Sequence, residues 1–136
     1  MEIHEFRWAD YEEVIALWKR AGLLPGRSDE RGEIEKKLSR DPDLFLVGVE
    51  AEAIVAAVIG GYDGRRAWIY HLAVEPGLHA RGFGTLLLDE LEFRLRKKGC
   101  LKVNLHIEPE NSSVMNFYQQ CGYAHNELIF MGKWLA

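Results

Sequence analysis

Two glycines with one residue between them, Gly82 and Gly84, stand at the head of a run whose leucines fall at Leu87, Leu88, Leu91 and Leu95. That spacing is helical. The first turn of a helix leaves backbone N–H groups unpartnered and partially positive. Glycine removes the Cβ atoms that keep a bulky anion from approaching them. Arg81–Thr85 therefore has the makings of a pyrophosphate cradle. A plain strand-to-helix turn asks for glycine too, so the glycines alone leave both readings open. Two familiar phosphate loops do not fit. A dinucleotide fingerprint needs Gly or Ala where this chain has Leu87, and a Walker loop needs Gly-Lys followed by Ser or Thr.

The elements that must position this loop can be read on either side of it. Ala67–Val74 is rich in β-branched and aromatic residues and reads as a strand, and Glu75–Ala80 reads as a loop. Asp89, Glu90 and Glu92 precede Arg94, Arg96, Lys97 and Lys98, which suits a helix dipole, and Gly99 stops the helix. Leu101–Ile107 is expected as the next strand, parallel to Ala67–Val74 because a helix crosses between them. Pro109 ends it. Upstream, Glu2–Arg7 reads as a short strand. Asp10 with Glu13 forms a capping box for a helix with the stripe Val14, Leu17, Trp18 and Ala21, closed by Gly22. Leu23–Asp29 reads as a mobile loop and Arg31–Arg40 as a second helix. Leu44–Val49 and Ala53–Gly61 make a hairpin through Glu50–Glu52. Downstream, Asn111 is expected to cap a helix carrying Val114, Phe117, Tyr118 and Cys121 on one face. Glu127–Trp134 is expected as a last strand. The order predicts an α+β fold with a mixed, mostly antiparallel central sheet flanked by helices, built as one domain over residues 1–136.

Composition narrows the function classes. A chain of 136 residues with 48% apolar and 28% charged residues can bury a core as an ordinary globular domain. A net charge of −4 argues against a general nucleic-acid binder. The acidic, polar start is no signal peptide, and the longest apolar run, Ala53–Ile59, is too short to span a membrane. Cys100 and Cys121 form no metal or disulfide pattern, and His4, His71, His79, His106 and His125 are scattered. The expectation is a cytoplasmic protein with no metal.

His79-Ala80-Arg81-Gly82-Phe83-Gly84 resembles the Gln/Arg-x-x-Gly-x-Gly/Ala signature of the GNAT (Gcn5-related N-acetyltransferase) family, with His at its first position. Leu72-Ala73-Val74-Glu75-Pro76 is similar to the family's strand exit. Asn111 through Tyr118, closed by Cys121-Gly122-Tyr123, is similar to its Asn-x-x-Ala-x-x-x-Tyr block, with Val114 in place of Ala. The element order matches along nearly the whole chain, which looks most like the family's small bacterial members.

The resemblance implies an acetyl-CoA-dependent N-acetyltransferase that passes acetyl to a primary amine by direct attack. The acceptor is a protein amino terminus, a lysine or a small-molecule amine. His79, Ala80, Arg81, Gly82, Phe83, Gly84 and Thr85 would hold the pyrophosphate of coenzyme A. Leu72, Ala73 and Val74 would meet the pantetheine with main-chain groups, the Leu72 N–H serving the oxyanion. Asn111 is a further contact near that arm. Tyr118 is the expected general acid for the leaving thiolate, because a phenol can donate a proton and regain it from water; as a plain residue it reads equally as a core anchor. His106 is the expected base, with His71 and Glu75 as lesser candidates; a lone strand histidine also serves as a mere surface residue. The family also implies pairing of two copies through the last strand. Two other functions compete: an acyl-CoA-binding sensor without catalysis, and a structural interaction domain.

Overall fold

The computed structural model describes all 136 residues, Met1–Ala136, and divides into two compact units, Met1–Leu105 and His106–Ala136. The first holds the sheet. Its strands are β1 (Glu2–Glu5), β2 (Phe45–Glu50), β3 (Ala53–Tyr62), β4 (Arg66–Val74) and β5 (Lys102–Asn104), lying side by side in chain order. The first four pair antiparallel. β5 pairs parallel to β4, as the crossover helix between them requires.

Alternation along the strands sends side chains to two faces. Phe45, Val47, Ala57, Ile59 and Ala73 join a core with Val14, Leu17 and Trp18 of α1 (Tyr11–Arg20) and Ile34 of α2 (Arg31–Arg40). Phe45 is sandwiched in that core, stacked on Phe6 at 4.2 Å and on Trp18 at 6.1 Å. α3 (Phe83–Lys97) packs on β2, β3 and β4, burying Leu87, Leu88, Leu91 and Leu95. Its approach is close: a Cβ on Gly60 would lie 2.8 Å from Leu91 Cδ1.

Several details differ from expectation. The Asp10–Glu13 box does not close on α1. A 3₁₀ turn over Trp8–Asp10 comes first, and the Asp10 carboxylate accepts the Arg7 N–H at 2.9 Å. Glu13 instead accepts the Ile54 N–H at 2.7 Å, where β3 bulges against β2. The Leu23–Asp29 segment closes into a 3₁₀ turn over Arg27–Asp29 instead of running loose. The hairpin turn at Ala51 and Glu52 uses left-handed backbone at both residues, φ 50° and 65°.

In the second unit a 3₁₀ turn over Pro109–Val114 leads into α4 (Met115–Gln120). Asn111 lies inside that turn (φ −107°, ψ 18°) and caps nothing; Val114 stands at the N-cap of α4. Glu127–Trp134 forms no strand. Leu128–Met131 has the composition of one, but a strand exists only through its partner's hydrogen bonds, and residues 121–136 join no ladder. β5 also stops earlier than expected. Its pairing with β4 ends at Asn104, so His106 lies beyond the strand and not on it.

Candidate active site

β4 supplies the first half of the site. Only Arg66, Ala67 and Trp68 pair with β5, so from Ile69 to Val74 its far edge has no strand neighbour. Within that open stretch the strand bulges. Ala73 pairs with Ala57 and Tyr70 with Ile59, leaving His71 and Leu72 together opposite Val58. A bulge takes its extra residue out of the ladder. His71 absorbs the distortion at φ 50°, left-handed backbone that few non-glycine residues adopt. The open edge leaves the strand exit without a strand partner on that side, while Ala73 stays paired with Ala57 and the Val74 carbonyl takes the His79 ring at 3.1 Å.

The loop after β4 supplies the second half. The Leu78 N–H bonds to the Glu75 carbonyl at 3.0 Å, and the Arg81 N–H bonds to Leu78 at 3.1 Å, closing a 3₁₀ turn over His79–Arg81. Gly82 then turns left-handed (φ 76°) and serves as N-cap of α3. The Leu86 N–H is the one that reaches the Gly82 carbonyl, at 3.1 Å. The earlier amides, at Phe83, Gly84 and Thr85, have no place in the helix ladder. No side chain caps this end, and no acidic residue stands in its first turn. The result is an unshielded positive pole at the head of a 15-residue helix. Arg81 stays beside it, its guanidinium 5.0 Å from the Phe83 ring and 3.2 Å from Glu50.

The expected acid and bases stand as follows. Tyr118 is buried on α4, edge-to-face with Phe117 at 5.2 Å and Tyr123 at 5.7 Å. Burial, with Cys121 adding to it, pushes its phenol well above the usual range, so it keeps its proton through neutral pH. His106 is exposed, with its ring against Phe130 at 4.7 Å. Glu75 is taken by Arg20, which forks onto both carboxylate oxygens at 2.8–3.1 Å. His71 has a partner that sequence reading missed. Its Nε2 lies 3.0 and 3.1 Å from the two carboxylate oxygens of Asp29, 42 residues earlier in the chain. No local spacing signals that pair.

The sheet thus opens beside a bulge and is followed by a glycine loop at a bare helix end. Residues 2–123 match the Acetyltransferase (GNAT) family. The chain belongs to that family and is an N-acetyltransferase. It is 42% identical over 133 residues to an acetyltransferase of Yersinia enterocolitica, covering 98% of this chain and 94% of that one. Its fold is similar to that of PaiA N-acetyltransferase from Thermoplasma acidophilum in complex with coenzyme A. The TM-score is 0.83 at 19% identity, covering 94% of this chain and 92% of the other. An aminoglycoside 6'-N-acetyltransferase from Acinetobacter haemolyticus has the same fold, with a TM-score of 0.80 at 14% identity and full coverage of both chains. No helix is long and apolar enough to cross a membrane.

Proposed function

We propose that this enzyme moves an acetyl group from acetyl-CoA to a primary amine by direct attack, the two units acting as one GNAT domain. The acceptor is a protein amino terminus, a lysine or a small-molecule amine. The observation that carries the reading is the bare first turn of α3, entered through left-handed Gly82, immediately after a strand whose edge is open and bulged. Amides at 83–85 and the loop from His79 through Gly82 would hold the pyrophosphate. Main-chain groups of Leu72, Ala73 and Val74 would line up the pantetheine, and the Leu72 N–H would stabilise the oxyanion. Asn111, whose side chain caps no helix, is free for a further cofactor contact. Tyr118, with its proton retained, would protonate the thiolate.

In balance, the neutral amine attacks the thioester carbon and a C–N bond forms. The C–S bond then breaks; the proton that the attacking nitrogen sheds is balanced by the one that ends on sulfur, and only an acceptor that starts as the ammonium gives a further proton to solvent. Cys100 and Cys121 are not joined in a disulfide, which suits a cytoplasmic setting. Incubation with acetyl-CoA and a panel of spermidine, kanamycin, lysine and an alanine-initiated peptide tests the reading by release of free thiol. Thiol release matched by an acetylated amine is expected. Release no faster than without any amine would contradict it.

A further inference from the structure

The Asp29–His71 pair has the construction of a base and its orienting partner. Asp29 is 6% exposed, an uncommon position for a carboxylate. Its oxygens are fully engaged: the Gly26 N–H donates at 2.8 Å, and His71 Nε2 reaches both. Burial raises the pKa of this carboxyl, but the His71 hydrogen bond, the Gly26 amide and the His71 charge outweigh it and leave the group below its usual range. Its backbone is pinned as well, since the Tyr11 hydroxyl donates to the Asp29 carbonyl at 2.9 Å.

An acceptor-only carboxylate fixes the imidazole tautomer. Nε2 must carry the hydrogen, which leaves the Nδ1 lone pair without a protein partner. The Trp18 indole lies against the same ring, 4.7 Å between centroids, and holds its plane. The side chain is still 29% exposed, so a substrate can reach it. The backbone makes the placement purposeful. His71 sits on the bulge in strained left-handed geometry, which folds keep chiefly where it serves a site. The next amide along the chain is that of Leu72, the proposed oxyanion donor, so base and donor are one peptide apart.

We infer that His71 is the general base of the transfer, taking a proton from the acceptor ammonium at Nδ1, with Asp29 as its positioning residue. This rests on the acetyl-transfer reading above. The ammonium loses one proton to Nδ1, and the neutral amine attacks. The imidazolium then returns its proton to water; the nitrogen sheds its second proton as the amide forms, and the thiolate takes one from the acid, which that released proton restores through water. Asp29 is the charged group that contacts the ring. From α1, Tyr11 faces Asp29, with Arg31 4.3 Å over its ring. The Arg20–Glu75 pair lies at the strand exit, and Tyr70 precedes on β4.

The test measures the pH dependence of kcat/KM, with acetyl-CoA and whichever panel amine turns over, in the parent, His71→Gln, Asp29→Asn and His106→Ala. The parent should show a limb that rises with pH across the imidazole range. His71→Gln should lose that limb and on the order of 10²-fold in rate, while still binding acetyl-CoA and melting cooperatively. Asp29→Asn should lower kcat while leaving KM for acetyl-CoA unchanged, because the amide no longer fixes the hydrogen on Nε2. A merely structural role would move both or neither. A limb that survives in His71→Gln, or vanishes in His106→Ala, would overturn the inference. So would ¹⁵N shifts placing the neutral proton of His71 on Nδ1, a readout that needs no turnover. A parent that binds no acetyl-CoA would sink the functional reading itself, and this inference with it.

Discussion

His79 turns its imidazole back onto the strand it follows, placing Nε2 3.1 Å from the carbonyl oxygen of Val74. At the position where the family signature has Gln or Arg, this side chain ties the glycine loop to the strand exit. A carbonyl has two lone pairs, so Val74 can still accept from a pantetheine amide. One such hydrogen bond contributes about 1 kcal/mol. His79→Ala should therefore raise the acetyl-CoA dissociation constant roughly fivefold and speed amide exchange over residues 75–82. Unchanged affinity with unchanged exchange would contradict the tie.

Gly82 separates two causes of weakened cofactor binding. A Cβ there would meet no atom within 4 Å, so the demand is the left-handed φ of 76° and the space in front of it. Asn tolerates that conformation better than other side chains. Gly82→Glu adds strain, bulk and a negative charge at the helix pole, and should abolish coenzyme A binding in a protein that still folds. Gly82→Asn should bind, more weakly than the parent. Equal affinity in all three would remove the pyrophosphate from this turn.

The β2–β3 hairpin carries correctable strain. Ala51 and Glu52 both hold positive φ, the geometry of a two-residue primed turn that favours Asn-Gly. Replacing Ala51→Asn and Glu52→Gly together should stabilise the fold by about 1 kcal/mol, or roughly 3 °C in Tm. A lower Tm would show that the native side chains do something else there.

The Asp29 carboxyl links stability to pH. Its folded pKa is depressed, so its contribution is present above the unfolded value and fades as pH falls through the folded one. The Tm gap between the parent and Asp29→Asn should thus be full near neutrality and shrink in acid, below about pH 4. A gap that stays constant down to pH 2 would mean that the charge on Asp29 does not matter to folding.

Much of the scaffold is legible in the sequence because it is local. Leucines at helical spacing, glycine stops and short β-rich runs mark α3, the hairpin and the parallel return of β5. The glycine loop is legible for the same reason. What sequence reading misses depends on partners far along the chain. The bulge at His71 and Leu72 has no glycine to announce it, and Asp29 lies in a stretch that reads as a plain loop. Asp10 and Glu13 have the spacing of a capping box, yet a local 3₁₀ turn takes the Asp10 carboxylate for Arg7 and distant Ile54 claims that of Glu13. Leu128–Met131 has the composition of a strand but no ladder to join.

Acetyl transfer with proton donation by Tyr118 stands or falls with Tyr118→Phe. The variant deletes one hydroxyl and keeps the ring that packs on Phe117 and Tyr123. The measurement is kcat for thiol release set beside acetyl-CoA affinity in the same protein. A proton donor acts as the thiolate forms, so kcat should fall on the order of 10²-fold or more while affinity barely changes. Full turnover in the variant would contradict the account.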